Sequence, residues 1–136
     1  MFMKQAKTLK ILLIVCGGIG GLVGLEMLVA PVSMYATVGI DVAGLTNLLS
    51  DLRASGGALL LCGILIASGA FVEGLAFSST LLSSILYLGY GLSRSVAILI
   101  DGVPADTLIV VAMIEVILGL ASITALIKFR SKPVKY

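Results

Sequence analysis

Arg53, Arg94 and Glu115 interrupt apolar runs of this sequence rather than lying between them. On insertion scales a charge at mid-bilayer costs about 2.5–3.5 kcal/mol, so such a group is rarely left facing lipid. Glu115 falls about 15 Å along a helix that begins near Ala105, close to the midplane of a hydrocarbon core. Ala112, Gly119 and Ser122 lie at helical spacing around it, a small-residue face that would turn Glu115 toward a neighbouring helix. Reversing the chain at Gly102 and Val103 brings Arg94 to within about 6 Å of Glu115 along the axis, a gap that an extended arginine spans. The expected outcome is an Arg94–Glu115 pair sharing charge and hydrogen bonds away from water.

Further polar groups gather about this pair. Tyr87, then Tyr90 or Gly91, then Arg94 share a helix face, which places a phenol beside the guanidinium. Asp101 ends the same run and belongs to the same polar set. Arg53 leads a second face, through Gly56, Leu60, Gly63, Ala67 and Ala70, along which another backbone can approach closely. Glu26 enters at a depth similar to Arg53. It lies about 200° around the helix from Gly24, off the Gly17, Gly21 and Gly24 stripe, and so points to the polar set or to the membrane interface.

The chemistry such a set offers is binding. A polar or anionic group, free or on a lipid head, would sit between Arg53 and Arg94, with Glu115 orienting Arg94 and Tyr90 adding a hydrogen bond. Proton exchange at Glu115 would couple such a pocket to protons. The alternative is structural: the charges fix helix register, and the Gly17/Gly21 and Gly20/Gly24 patterns join this chain to a second copy or to a membrane partner. Catalysis has little to stand on, because there is no phosphate loop, nucleophile elbow or paired metal motif. The chain contains no His, which removes the commonest metal ligand and proton shuttle together. No cofactor is expected.

The elements that must hold these residues follow from composition. Hydrophobic residues make up 60% of the chain and charged residues 12%, far from the usual soluble balance of roughly 45–50% and about 25%. The bilayer is therefore the expected solvent. Four segments reach the roughly 20 residues needed to cross it: Leu9 to Val29, Asp51 to Phe71, Leu75 to Ile100, and Ala105 to Phe129. The chain reads as one all-α domain over 1–136, a four-helix transmembrane bundle. Short connections at 72–74 and 101–104 make tight hairpins, with Gly102 as a helix stop and Pro104 opening the next helix. The connection from Ala30 to Ser50 is longer. Pro31 would end the first span, and Asn47 or Ser50 would cap the second. Its apolar residues, among them Met34, Tyr35, Val38 and Ile40, suit either an interfacial connector or a lid over the bundle.

Lys4, Lys7 and Lys10 precede the first span, and Lys128, Arg130, Lys132 and Lys135 follow the last. These are all but two of the nine cations. The positive-inside rule then places both termini in the cytoplasm. A net charge of +2 so distributed offers nothing to nucleic acid. The first apolar run is long for a cleaved leader, and Pro31 would follow the cut, so the segment is expected to stay as a span. Cys16 and Cys62 fall mid-span and read as small apolar residues rather than as a disulfide. Residues 131–136 read as a short tail.

Taken in order, Arg53-x-x-Gly56-Gly57, Gly89 ahead of Arg94, Asp101-Gly102-x-Pro104, and Glu115 with Gly119 resemble domain-of-unknown-function family 4345. The resemblance covers roughly residues 20–130. It implies a small four-helix protein of a bacterial inner membrane, crossing it several times, and it brings no reaction or cofactor.

Overall fold

The computed structural model describes residues 6–129. Five helices follow one another: α1 (Lys7–Val29), α2 (Pro31–Ala36), α3 (Thr46–Ser68), α4 (Ala76–Asp101) and α5 (Asp106–Phe129), with a short 3₁₀ turn at Glu73–Leu75 leading into α4. Four of these, all but α2, are long and apolar enough to cross a membrane. The expected tail at 131–136, with Lys4, Arg130, Lys132 and Lys135, lies outside the described residues.

The third and fourth spans begin and end within a residue of their sequence boundaries, because the chain marks those ends chemically. Asp101 closes α4, and Gly102 follows at φ 97°, its amide donating to the carbonyl of Ile98. Only glycine adopts such a backbone without strain. Asp106 stands in the first turn of α5 and Lys128 in its last, each matching the helix dipole.

The second span departs from the expectation. It starts at Thr46 rather than Asp51 and ends at Ser68 rather than Phe71. Neither Asn47 nor Ser50 caps it. The cap is Leu45, without a side-chain hydrogen bond, and its carbonyl accepts from the Leu49 amide at 2.8 Å. Thr46, Asn47, Ser50 and Asp51 are unfavourable in lipid but do not break a helix, so hydrogen bonding extends past the apolar boundary. Pro31 does end α1, and it also opens α2 at a position where its missing N–H is harmless.

Two antiparallel pairs make up the bundle, α1 with α3 and α4 with α5. Glycine sets the first. A β-carbon on Gly24 would stand 2.8 Å from the Gly56 carbonyl oxygen, and one on Gly56 would stand 2.6 Å from the Leu28 nitrogen. Gly17, two turns away along α1, meets Gly63 and Ala67 in the same way. Backbones can meet at this distance only where side chains are absent. The second pair interlocks by Val116 against Gly91 and Leu88 against Gly119.

Between the pairs the interior changes character along its length. At the end that holds the start of α1 and the end of α5, Leu9, Leu13, Cys16, Ile66, Ala70, Ala76 and Ala125 form a buried cluster. Beside it runs a hydroxyl seam of buried Ser79, Thr80, Ser83, Ser84 and Ser122. Ser83 and Ser122 bond across α4 and α5 at 2.8 Å, and the Ser79 hydroxyl donates to the Leu65 carbonyl of α3 at 2.7 Å. At the opposite end the pairs part.

Candidate functional site

The gap between the pairs is a cavity of about 420 Å³, within the ~300–1,000 Å³ of ordinary small-molecule sites. Its walls come from α1 (Ile19, Val23, Met27), α4 (Leu86) and α5 (Leu108, Val111, Ile114), with Gly20, Leu59 and Tyr87 at the inner end. Met34, Tyr35, Thr37, Val38 and Ile40 from the segment after α1 also line it. The connection at 30–45 therefore covers the cavity, which is the lid reading of its apolar composition. Val42, fully buried, anchors that segment, and the Asp41 carboxylate accepts from the Ala43 amide at 2.9 Å to fix its turn.

One ion pair sits in an otherwise largely apolar wall. Arg94 Nε donates to Glu115 Oε2 at 2.9 Å, with the Arg94 side chain 34% exposed and that of Glu115 13%. The antiparallel register of α4 and α5, set by Gly91 and Gly119, is what brings them level. Tyr90 and Glu26 line the same cavity. Both Tyr87 and Tyr90 reach it, where the sequence left the choice between Tyr90 and Gly91 open. Glu26 makes no ion pair or hydrogen bond through its side chain among the described residues.

Arg53 and Asp101 are placed elsewhere. The Arg53 guanidinium, through Nη1, donates to the carbonyls of Leu28 and Val29, and Arg53 does not line the cavity. Those carbonyls belong to the last turn of α1, where the helix leaves them without amide partners. The arginine satisfies them and opposes the dipole of that end. Asp101 lines a smaller hollow of about 200 Å³ at the α4–α5 turn, with Arg94, Pro104 and Leu108. Arg94 and Leu108 border both hollows. Charge at the main cavity is thus two carboxylates against one guanidinium, not an anion seat between two arginines.

Sequence reasoning missed the hydroxyl seam and the part of Tyr35 and Thr37 in the lining. A signal for the seam was present: Ser79, Thr80, Ser83, Ser84 and Tyr87 recur every three or four residues within an apolar span, one helix face. For Tyr35 the signal was only the apolar composition that left a lid and an interfacial connector both open, because the fold of the connection over the bundle depends on the elbow at Ala30. Cys16 and Cys62 are free thiols. Cys16 lies 3.9 Å from the Ser122 hydroxyl within the seam. Among the described residues no group of three Cys, Asp and Glu converges as a metal site.

Fold and cavity together define a small helical protein of the multi-pass membrane class. The chain belongs to the family described as Domain of unknown function (DUF4345), whose model matches residues 8–126. The match takes in nearly all of α1, further toward the start than the polar landmarks alone reach. No curated protein and no solved structure matches the chain.

Proposed function

We propose that this protein binds, in the cavity between its two helix pairs, a small amphipathic molecule whose polar head meets Arg94, Glu115 and Tyr90. The observation that carries this reading is a roomy, mainly apolar cavity with its ionic groups confined to one stretch of wall. Apolar walls with a few convergent polar groups are the usual form of a small-molecule site. An ion pair serving only to fix helix register would be better sealed than left with an arginine one-third exposed in a cavity wall. A lipid head group with the upper part of its chain suits the cavity, as does a free amphiphile.

The chain's setting follows from the same features. Lys7 and Lys10 at one end of α1 and Lys128 at the matching end of α5 favour cytoplasmic termini. The cavity then opens toward the outer face of a bacterial inner membrane. Transport would need the hydroxyl-lined end to part as well.

The alternative, an accessory subunit held through its small-residue faces, has less support. Gly17 and Gly24 of α1 and Gly56 and Gly63 of α3 are already packed on each other. A partner would have to use other faces.

Native mass spectrometry of the protein released directly from membranes tests the reading, compared with Val111→Trp, which fills the cavity from α5. One retained amphiphile per chain, lost in the variant while helical content and melting are kept, is the expected result. Equal retention in both proteins, or none in either, overturns it.

A further inference from the structure

The cavity carries a charge imbalance that points to the kind of head group it takes. Its acidic and basic lining residues are Glu26, Arg94 and Glu115. Arg94 is engaged by Glu115, which leaves the Glu26 carboxylate without a partner at the other wall. The only other arginine within the spans is turned away onto the end of α1. A small inorganic or carboxylate anion entering here would meet an arginine already paired and a second carboxylate unpaired. Beside low-dielectric walls that juxtaposition is unfavourable, and the same field favours a cation.

Aromatic placement agrees independently. The chain has four tyrosines and no tryptophan. Tyr35, Tyr87 and Tyr90 all line this cavity, coming from α2 and α4. The Tyr87 hydroxyl is already donated to the Cys16 carbonyl. Tyrosine faces attract cations through the ring quadrupole, and several of them with a carboxylate are the usual means of holding an alkylated ammonium.

We infer that the occupant carries an ammonium group on its apolar body, with Glu26 as its counter-ion and the faces of Tyr35 and Tyr90 beside it. This rests on the amphiphile reading above and narrows it. The shared chemistry is that of an aminolipid head or of a free organic amine. A zwitterionic head also fits, its anionic part at Arg94 and its ammonium at Glu26.

The test uses the full chain in an uncharged maltoside detergent. Because the chain lacks tryptophan and three of its tyrosines line the cavity, tyrosine emission reports occupancy directly. The probes are hexyltrimethylammonium, its uncharged carbon isostere 2,2-dimethyloctane, and hexanesulfonate. The ammonium is expected to bind at least about tenfold more tightly than the isostere, the scale of a desolvated cation held by aromatic faces. Hexanesulfonate is expected to bind least. Glu26→Gln should lower the ammonium-to-isostere ratio severalfold, leaving the part owed to the tyrosine faces, and Glu26→Asp should restore most of it; an unchanged ratio in Glu26→Gln overturns Glu26 as the counter-ion.

If the isostere or the sulfonate binds as well as the ammonium, and Val111→Trp excludes them all, the ammonium inference is wrong while the amphiphile reading stands. If no probe binds and Val111→Trp changes nothing, both are wrong. Native mass spectrometry then separates the sources. An amine-bearing lipid retained from membranes identifies the head group, whereas binding of the free cation to a chain released without lipid identifies a soluble amine.

Discussion

The hydroxyl of Tyr87 on α4 donates to the main-chain carbonyl of Cys16 on α1 at 2.5 Å. This bond crosses between the two helix pairs, at the level where the tight hydroxyl-lined end gives way to the cavity. Tyr87 is therefore both the floor of the cavity and a tie that stops the gap from running further down. Its ring is only 5% exposed, so Tyr87→Phe removes the hydrogen bond without opening a hole.

The variant is expected to lose about 1 kcal/mol, the ordinary net worth of one hydrogen bond between membrane helices. Tyr87→Ala would add a cavity and lose roughly 3–5 kcal/mol. Thermal melts in mild detergent measure both. Equal melting temperatures for the wild type and Tyr87→Phe would mean that the bond does not hold the pairs together.

Arg94 and Glu115 call for a double-mutant cycle. Either Arg94→Gln or Glu115→Gln leaves one ionic group beside apolar walls, at an expected cost of about 1–3 kcal/mol. The larger figures found for fully buried pairs do not apply, since Arg94 is 34% exposed. The pair Arg94→Gln/Glu115→Gln should cost less than the sum of the singles, because neither partner is then stranded. Additive losses would show that the two groups act separately.

Much of this could be read before any coordinates. The Arg94–Glu115 pairing was legible because Gly102 and Pro104 fix the hairpin length, and helix geometry then leaves one register. The spans were legible because lipid demands long apolar runs. Arg53 was misread for a definite reason. Its depth and type suggested a ligand, but spacing within α3 says nothing about the end of α1, whose carbonyls Arg53 satisfies. The early start of α3 was hidden because helix hydrogen bonding continues past the apolar boundary. A pocket beside Arg94 and Glu115 was legible, but its apolar walls and its extent were not, since they arise only where the two helix pairs diverge.

Glycines separate a close-packed seam from open surface. Gly24→Ala and Gly56→Ala each drive a methyl into opposing backbone. Overpacking of this kind costs about 1–3 kcal/mol, with little scope for a flexible neighbour to yield. Gly57→Ala, one residue along α3, meets nothing within 4 Å. There the change should be neutral, or stabilising by up to about 1 kcal/mol through helix propensity. Denaturation of the three variants side by side gives the comparison. A Gly57→Ala loss as large as that of Gly56→Ala would remove the case for an α1–α3 glycine seam.

Arg53 makes a prediction about the lid rather than about the cavity wall. The chain bends sharply at Ala30, with φ −133° and ψ 51°, and Pro31 starts α2 immediately afterwards. The carbonyls of Leu28 and Val29 at this elbow have the Arg53 guanidinium as their partner. In Arg53→Gln that charge-assisted donation is lost, at an expected cost of about 0.5–1.5 kcal/mol because the bonds lie at an exposed position. The loss should be local, because the α1–α3 glycine contacts below the elbow do not involve Arg53. Amide hydrogen exchange should accordingly quicken over 31–45 and stay unchanged over Ser79–Tyr87. Since Met34, Tyr35 and Val38 line the cavity, a loosened lid should also shorten the residence of any bound amphiphile without altering which head group is preferred. Uniform acceleration of exchange throughout the chain would instead make Arg53 a general stabiliser, and unchanged exchange at 31–45 would mean that the lid is held by Val42 and its own turns.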